Sequence, residues 1–133
     1  MFWKIYFIAL SIFLFIDAIW LGLVAKNFYQ KQIGPLMKDI NWVSAFMVYA
    51  LFVLGLVVLV LLPGIKTKTV LEVVMLGGLL GLVCYGVYDL TNLATLKNWT
   101  LTVTIVDMIW GLVVGSLVSL FTYLIVVNFL KIK

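Results

Sequence analysis

Four runs of about 20 apolar residues, each the length that crosses a bilayer as a helix, leave this chain one class of fold. The runs are punctuated by lysine: all nine basic residues of the 133 are lysines, and none falls inside an apolar run. The first run lies between Lys4 and Lys26. The second runs from about Trp42 to Leu62, where Pro63-Gly64 is expected to stop the helix. The third follows the short Lys66/Lys68 loop, and the fourth lies between Lys97 and Lys131. The expectation is an all-α membrane protein: a single-domain four-transmembrane-helix bundle with spans of about 5–25, 42–62, 70–92 and 101–129, and N and C termini on the same side. At 66% hydrophobic and a mean hydropathy of +1.29, the composition lies far from that of soluble domains. The runs consume nearly the whole length, so any chemistry takes place in or at the bilayer.

Composition also excludes. There is no histidine and only one cysteine, Cys84, which removes haem ligation, zinc sites of the usual kinds, Ser-His-Asp triads and internal disulfides; no cofactor is expected. The net charge of +4 resides in loop lysines beside lipid headgroups, so the lipid bilayer is the expected partner and nucleic acid is not. The first run is too long for a signal-peptide core and reads as a retained helix. Loop 1, from Lys26 to Asn41, carries Phe28, Tyr29 and three lysines around Gly34-Pro35, and suits a short helix lying on the surface. Lys4, Lys66, Lys68, Lys131 and Lys133 fall on one side and Lys26, Lys31, Lys38 and Lys97 on the other; five against four favours cytoplasmic termini and leaves dual insertion and a homodimer open. Trp3, Trp42 and Trp99 occupy interfacial-anchor positions, whereas Trp20 and Trp110 lie deeper.

The costly residues are Asp17, Asp89 and Asp107, each inside a run. An acidic side chain at mid-span costs about 3 kcal/mol, so three facing lipid would cost roughly 9 kcal/mol. At about 1.5 Å per residue all three fall about 12–13 Å below the loop-1 surface, one level on three helices, as a common site requires. Residues three and four apart share a helical face, which sets Trp20 beside Asp17, Tyr85 and Asn92 beside Asp89, and Thr104, Trp110 and Gly111 beside Asp107. Asp-x-Ile-Trp occurs twice, at Asp17–Trp20 and Asp107–Trp110, on antiparallel helices, so the tryptophans are expected to point away from the aspartate level in opposite directions. With no lysine or arginine in the spans, the acids must hold protons, a hard cation or a cationic ligand.

The small residues read as packing. Gly77 and Gly81 in the third span, Gly111, Gly115 and Ser119 in the fourth, and Ala18 and Gly22 in the first follow the small-xxx-small spacing that lets helices approach closely. The second span has few small residues and no charge, so it is expected to be the most lipid-exposed, a scaffold with Tyr49 as its main polar feature. Cys84 is expected to be inert packing.

The segment Tyr85-Gly86-Val87-Tyr88-Asp89-Leu90-Thr91-Asn92-Leu93-Ala94-Thr95-Leu96, then Trp99, then Val106-Asp107-Met108-Ile109-Trp110-Gly111, with Asp17-x-x-Trp20-Leu21-Gly22, resembles a bacterial family of predicted membrane proteins catalogued as domain of unknown function 2177. The resemblance covers essentially the whole chain. It implies a small polytopic protein of the bacterial inner membrane and no assigned activity.

Three functions fit these residues. The first is binding or transport of a proton, cation or small cationic molecule at Asp17, Asp89 and Asp107, with Trp20, Tyr85, Tyr88, Asn92 and Trp110 as the surrounding wall. The second is an intramembrane hydrolase acting on lipid or peptide, with Asp89 and Asp107 as the catalytic pair and Asp17 orienting, or a variant in which the three aspartates and Asn92 hold Mg²⁺. The third is a structural or assembly protein whose acids only join helices.

Overall fold

Apolar side chains on every face of a long helix are stable only where hydrocarbon or other helices surround it, and four such helices make up this chain. The computed structural model describes residues 1–37 and 41–131. Its elements are α1 (Phe2–Val24), the short α2 (Lys26–Ile33), α3 (Trp42–Thr67), α4 (Val70–Thr95) and α5 (Leu101–Phe129). The four long helices are the expected spans, each long and apolar enough to cross a membrane. Lys38 and Lys133 of the lysine pattern lie outside the described residues.

The closest packing is between α4 and α5, which run antiparallel with almost no side chain between them. A Cβ on Gly77 would run into Ser119 and the Gly115 carbonyl, one on Gly81 into the Gly111 carbonyl, and one on Gly111 into the Tyr85 ring. The seam therefore advances by four residues up α4 as it recedes by four along α5. The next step from Tyr85 is Asp89, and the next from Gly111 is Asp107. Glycine permits this approach because in hydrocarbon close van der Waals packing, not expulsion of water, holds helices together. The small residues of α1 take no part: Ala18 is exposed and a Cβ on Gly22 would meet nothing within 4 Å, because that face of α1 lies outside the bundle.

Pro63-Gly64 does not stop the second span, which continues to Thr67. A π-helical turn over Val57–Leu61 precedes the proline, with the Leu62 N–H bonded to the Val57 carbonyl five residues back. This shift in hydrogen-bond register absorbs the donor that proline lacks. Gly64 is needed because Val73 of α4 packs directly against it. The α3–α4 connection is then only Lys68 and Thr69, where Thr69 and Glu72 form a reciprocal capping box that starts α4. At the other end of α4, Asn98 takes the left-handed conformation (φ 66°) that turns the chain into α5, capped by Thr100.

The bundle is tight at the α3–α4 turn end and open at the loop-1 end. Ile5, Ala9 and Phe13 of α1 meet Val53, Leu56, Val57, Val60 and Leu61 of α3, with Val73 of α4 and Val114 and Val118 of α5, in a closed apolar core. The second span is thus not the most lipid-exposed. Its lower half is core, and α1 has the smaller buried share. Above Phe52 the upper half of α3 diverges from α4, leaving room for a cavity.

Candidate functional site

A cavity of about 680 Å³ fills the open end of the bundle, walled by all four long helices and roofed by α2. The volume is within the range of about 300–1,000 Å³ that encloses small organic ligands. Asp17 and Asp107 lie in its wall with Trp20, Trp110, Tyr85 and Tyr88, which are six of the eight residues expected from the sequence. Asp89 and Asn92 do not line it.

Each carboxylate in the wall is held by aromatic donors. Asp17 accepts from the Tyr49 hydroxyl at 2.7 Å and from the Trp110 indole N–H at 3.2 Å. Asp107 accepts from the Tyr29 hydroxyl at 2.5 Å, and the same Tyr29 oxygen accepts from the Trp20 indole at 3.2 Å. Trp20 and Trp110 stack face to face, ring centroids 4.3 Å apart and 7° from parallel. The two Asp-x-Ile-Trp elements are thus crossed: the tryptophan of α5 serves the aspartate of α1, and that of α1 serves the aspartate of α5 through Tyr29. The expectation that the indoles point apart fails because a helical side chain leans back toward its own N-terminus. On antiparallel helices that lean turns Trp20 and Trp110 toward each other.

Asp89 follows the glycine seam instead of the cavity. It is fully buried, neither of its oxygens meets a donor, and the Asp107 carboxyl is within hydrogen-bonding reach. Two carboxylate oxygens both accept, so only a proton placed between them makes the contact a hydrogen bond. The acids are therefore a wall pair, Asp17 and Asp107, with Asp89 behind Asp107. Among the described residues no three acids or thiols converge as a metal-ligand group, which corrects the Mg²⁺ arrangement: Asp89 has turned into the seam.

Four wall residues with polar atoms, Tyr29, Tyr49, Trp99 and Cys84, lie outside the set expected from the sequence. Tyr29 arrives from outside the spans. A π-helical turn at Trp20–Val24 ends α1, and α2 folds back over the cavity, tied by Tyr29 to Asp107 and by the Gln32 carbonyl oxygen, which accepts from the Thr100 hydroxyl at 2.9 Å. Tyr49, the main polar feature of the second span, donates to Asp17 and lines the cavity. Trp99 turns inward: its indole donates to Thr104 at 3.0 Å and its ring meets Tyr88 edge-on, whereas Trp3 and Trp42 are exposed. Cys84 is exposed and stands in the cavity wall.

Burial first, and then the hydrogen bond to Asp107, push the Tyr29 phenol above its ordinary range. The group remains a donor at physiological pH. Because the closed lid holds this proton more tightly than the open one, closure is fully stabilised below about pH 10 and weakens as pH rises beyond it. Tyr29→Phe removes a charge-assisted bond worth about 1.5–3 kcal/mol. Amide exchange over Lys26–Ile33 is expected to accelerate by roughly tenfold or more at neutral pH.

Taken together, these features define an integral membrane protein of four spans with an acidic, aromatic-walled cavity inside the bundle. Residues 2–124 match the family described as predicted membrane protein DUF2177, and the chain belongs to it. No curated protein and no solved structure gives a significant match.

Proposed function

We infer that this protein binds a cation or cationic small molecule at Asp17 and Asp107, as a membrane receptor or carrier for it. The observation that carries this reading is the cavity itself: two carboxylates in its wall with no lysine or arginine among the described residues that line it. A buried anion without a basic partner needs a proton or a cation, and the free faces of the Trp20–Trp110 stack with Tyr85 and Tyr88 offer cation–π contact. Asp89, within hydrogen-bonding reach of Asp107, shares with it a proton that leaves the protein when the cation arrives. The resemblance and the lysine pattern support a bacterial inner membrane with both termini cytoplasmic.

The hydrolase reading draws on the adjacency of Asp89 and Asp107. It is less favoured, because a catalytic pair must reach one scissile bond together and Asp89 is shut off from the cavity. A purely structural role leaves a cavity of this size without purpose. The test is binding of tetraphenylphosphonium to protein in lipid nanodiscs, comparing wild type with Asp17→Asn and Asp107→Asn, with folding scored separately by circular dichroism and monodispersity. Asp-dependent binding by folded variants supports the reading. Folded variants that bind as wild type would falsify it.

A further inference from the structure

The cavity wall carries both acidic and apolar side chains, and its sides differ in what they face. Toward the loop-1 surface, α2 is fastened across it by the Tyr29–Asp107 and Gln32–Thr100 hydrogen bonds. Toward the bilayer the wall is incomplete. Five wall residues are exposed, and four of them belong to two neighbouring helices: Val48 and Leu51 of α3, each 62% exposed, and Cys84 and Tyr88 of α4, the latter 56% exposed. The fifth, Leu21, lies on α1. The upper halves of α3 and α4 make little direct contact, so these side chains edge a gap between the helices. In a spanning segment such a gap faces lipid tails, not water.

We propose that the ligand is a single-chain cationic amphiphile that enters sideways from the bilayer between Val48/Leu51 and Cys84/Tyr88, with its ammonium head at Asp17 and Asp107. This deepens the cation-binding reading and rests on it. Charge complementarity fixes the head: two carboxylates and, among the described residues, no base in the wall admit an ammonium group and repel a phosphate. The route fixes the tail. Beside the acids and tyrosines the wall carries Phe13, Ala45, Val48, Leu51 and Phe52, which offer an alkyl chain the surroundings it leaves and a small hydrated ion no compensation for its lost water. The lid on the aqueous side then keeps water from the ion pair.

Dodecyltrimethylammonium and tetramethylammonium share a head and differ in the tail. In nanodiscs, with uptake by empty discs subtracted, the dodecyl compound is expected to bind wild type at least 100-fold more tightly than tetramethylammonium, and Asp17→Asn/Asp107→Asn to lose that binding. Val48→Trp, which fills the gap, is expected to slow association about tenfold. Cys84 gives a second reading on the native chain, since it is the sole cysteine: dodecyltrimethylammonium is expected to slow its reaction with N-ethylmaleimide about fivefold, whatever the fate of the tryptophan variant. Equal binding of the two compounds, or undiminished Cys84 reactivity at saturation, overturns the amphiphile and its portal. Should tetraphenylphosphonium binding still depend on the aspartates, the cation reading survives that failure. Dodecyl binding that persists in the double Asn variant overturns both.

Discussion

Asp17→Asn and Asp107→Asn are each expected to weaken tetraphenylphosphonium binding roughly 30-fold, about 2 kcal/mol, while leaving the helical content and monodispersity of the protein unchanged. The carboxylates are shielded from bulk water, so a cation about 4 Å away gains up to about 4 kcal/mol at an effective dielectric of 20, and part of that offsets its desolvation. Asparagine is nearly isosteric and keeps one acceptor oxygen. At position 107 that suffices for the Tyr29 hydroxyl; at position 17 it serves either Tyr49 or Trp110, so folding is challenged by one hydrogen bond at most. The two sites act on one ligand, so the double variant should not show a simple sum. Asp89→Asn is a different case. It meets no ligand, and its amide can donate to Asp107 without a shared proton, so affinity should change little while proton release on binding disappears. Counting protons in weakly buffered binding titrations checks this.

Gly81→Val is expected to destroy the fold, not the site. A Cβ at this position runs into the Gly111 carbonyl, a backbone atom that no rotamer change can move aside. α4 and α5 would have to separate along their whole seam, losing the contacts that hold helices together where no hydrophobic driving force exists. A cost of about 3 kcal/mol, at the upper end of overpacking penalties, is anticipated, and it should appear as loss of monodisperse protein or a much lower detergent midpoint in an unfolding titration. Gly55→Ala and Gly22→Ala provide the contrast. Nothing lies within 4 Å of a Cβ at either position, so both should retain wild-type stability to within about 0.5 kcal/mol. If Gly81→Val folded as well as these two, the α4–α5 seam described above would be mistaken.

The architecture was largely legible in the residues, because hydrocarbon permits few solutions and lysine marks the ends of each run. Pro63-Gly64 misleads because the pair has the form of a helix stop, whereas the π turn before it depends on how α3 packs. The site was legible in part. Asp17, Asp107 and both deep tryptophans, singled out by the cost of placing polar groups in a span, come together in the cavity wall. Their crossing was not legible, since it depends on the backward lean of helical side chains and on Tyr29, which reaches Asp107 across 78 residues of chain. The fate of Asp89 had a signal that went unused. Gly77, Gly81, Tyr85 and Asp89 recur every four residues on one face, as do Ser119, Gly115, Gly111 and Asp107, so the stripe that packs the helices also carries Asp89 into the seam. Tyr49 was visible as the one polar group at mid-depth in the second span, and deserved the same weight as the acids.

The central claim is that the space between Asp17, Asp107 and the stacked indoles holds a cation. Tetraphenylarsonium is nearly isosteric with the phosphonium and places a strong anomalous scatterer at its centre, so crystals of the protein grown with it in a lipid phase report position directly. The expected result is one arsenic peak inside the cavity, between the Trp20–Trp110 pair and Tyr85, missing from crystals of Asp17→Asn/Asp107→Asn. An empty cavity in wild-type crystals at saturating tetraphenylarsonium, or a peak that persists in the double variant, would contradict the account.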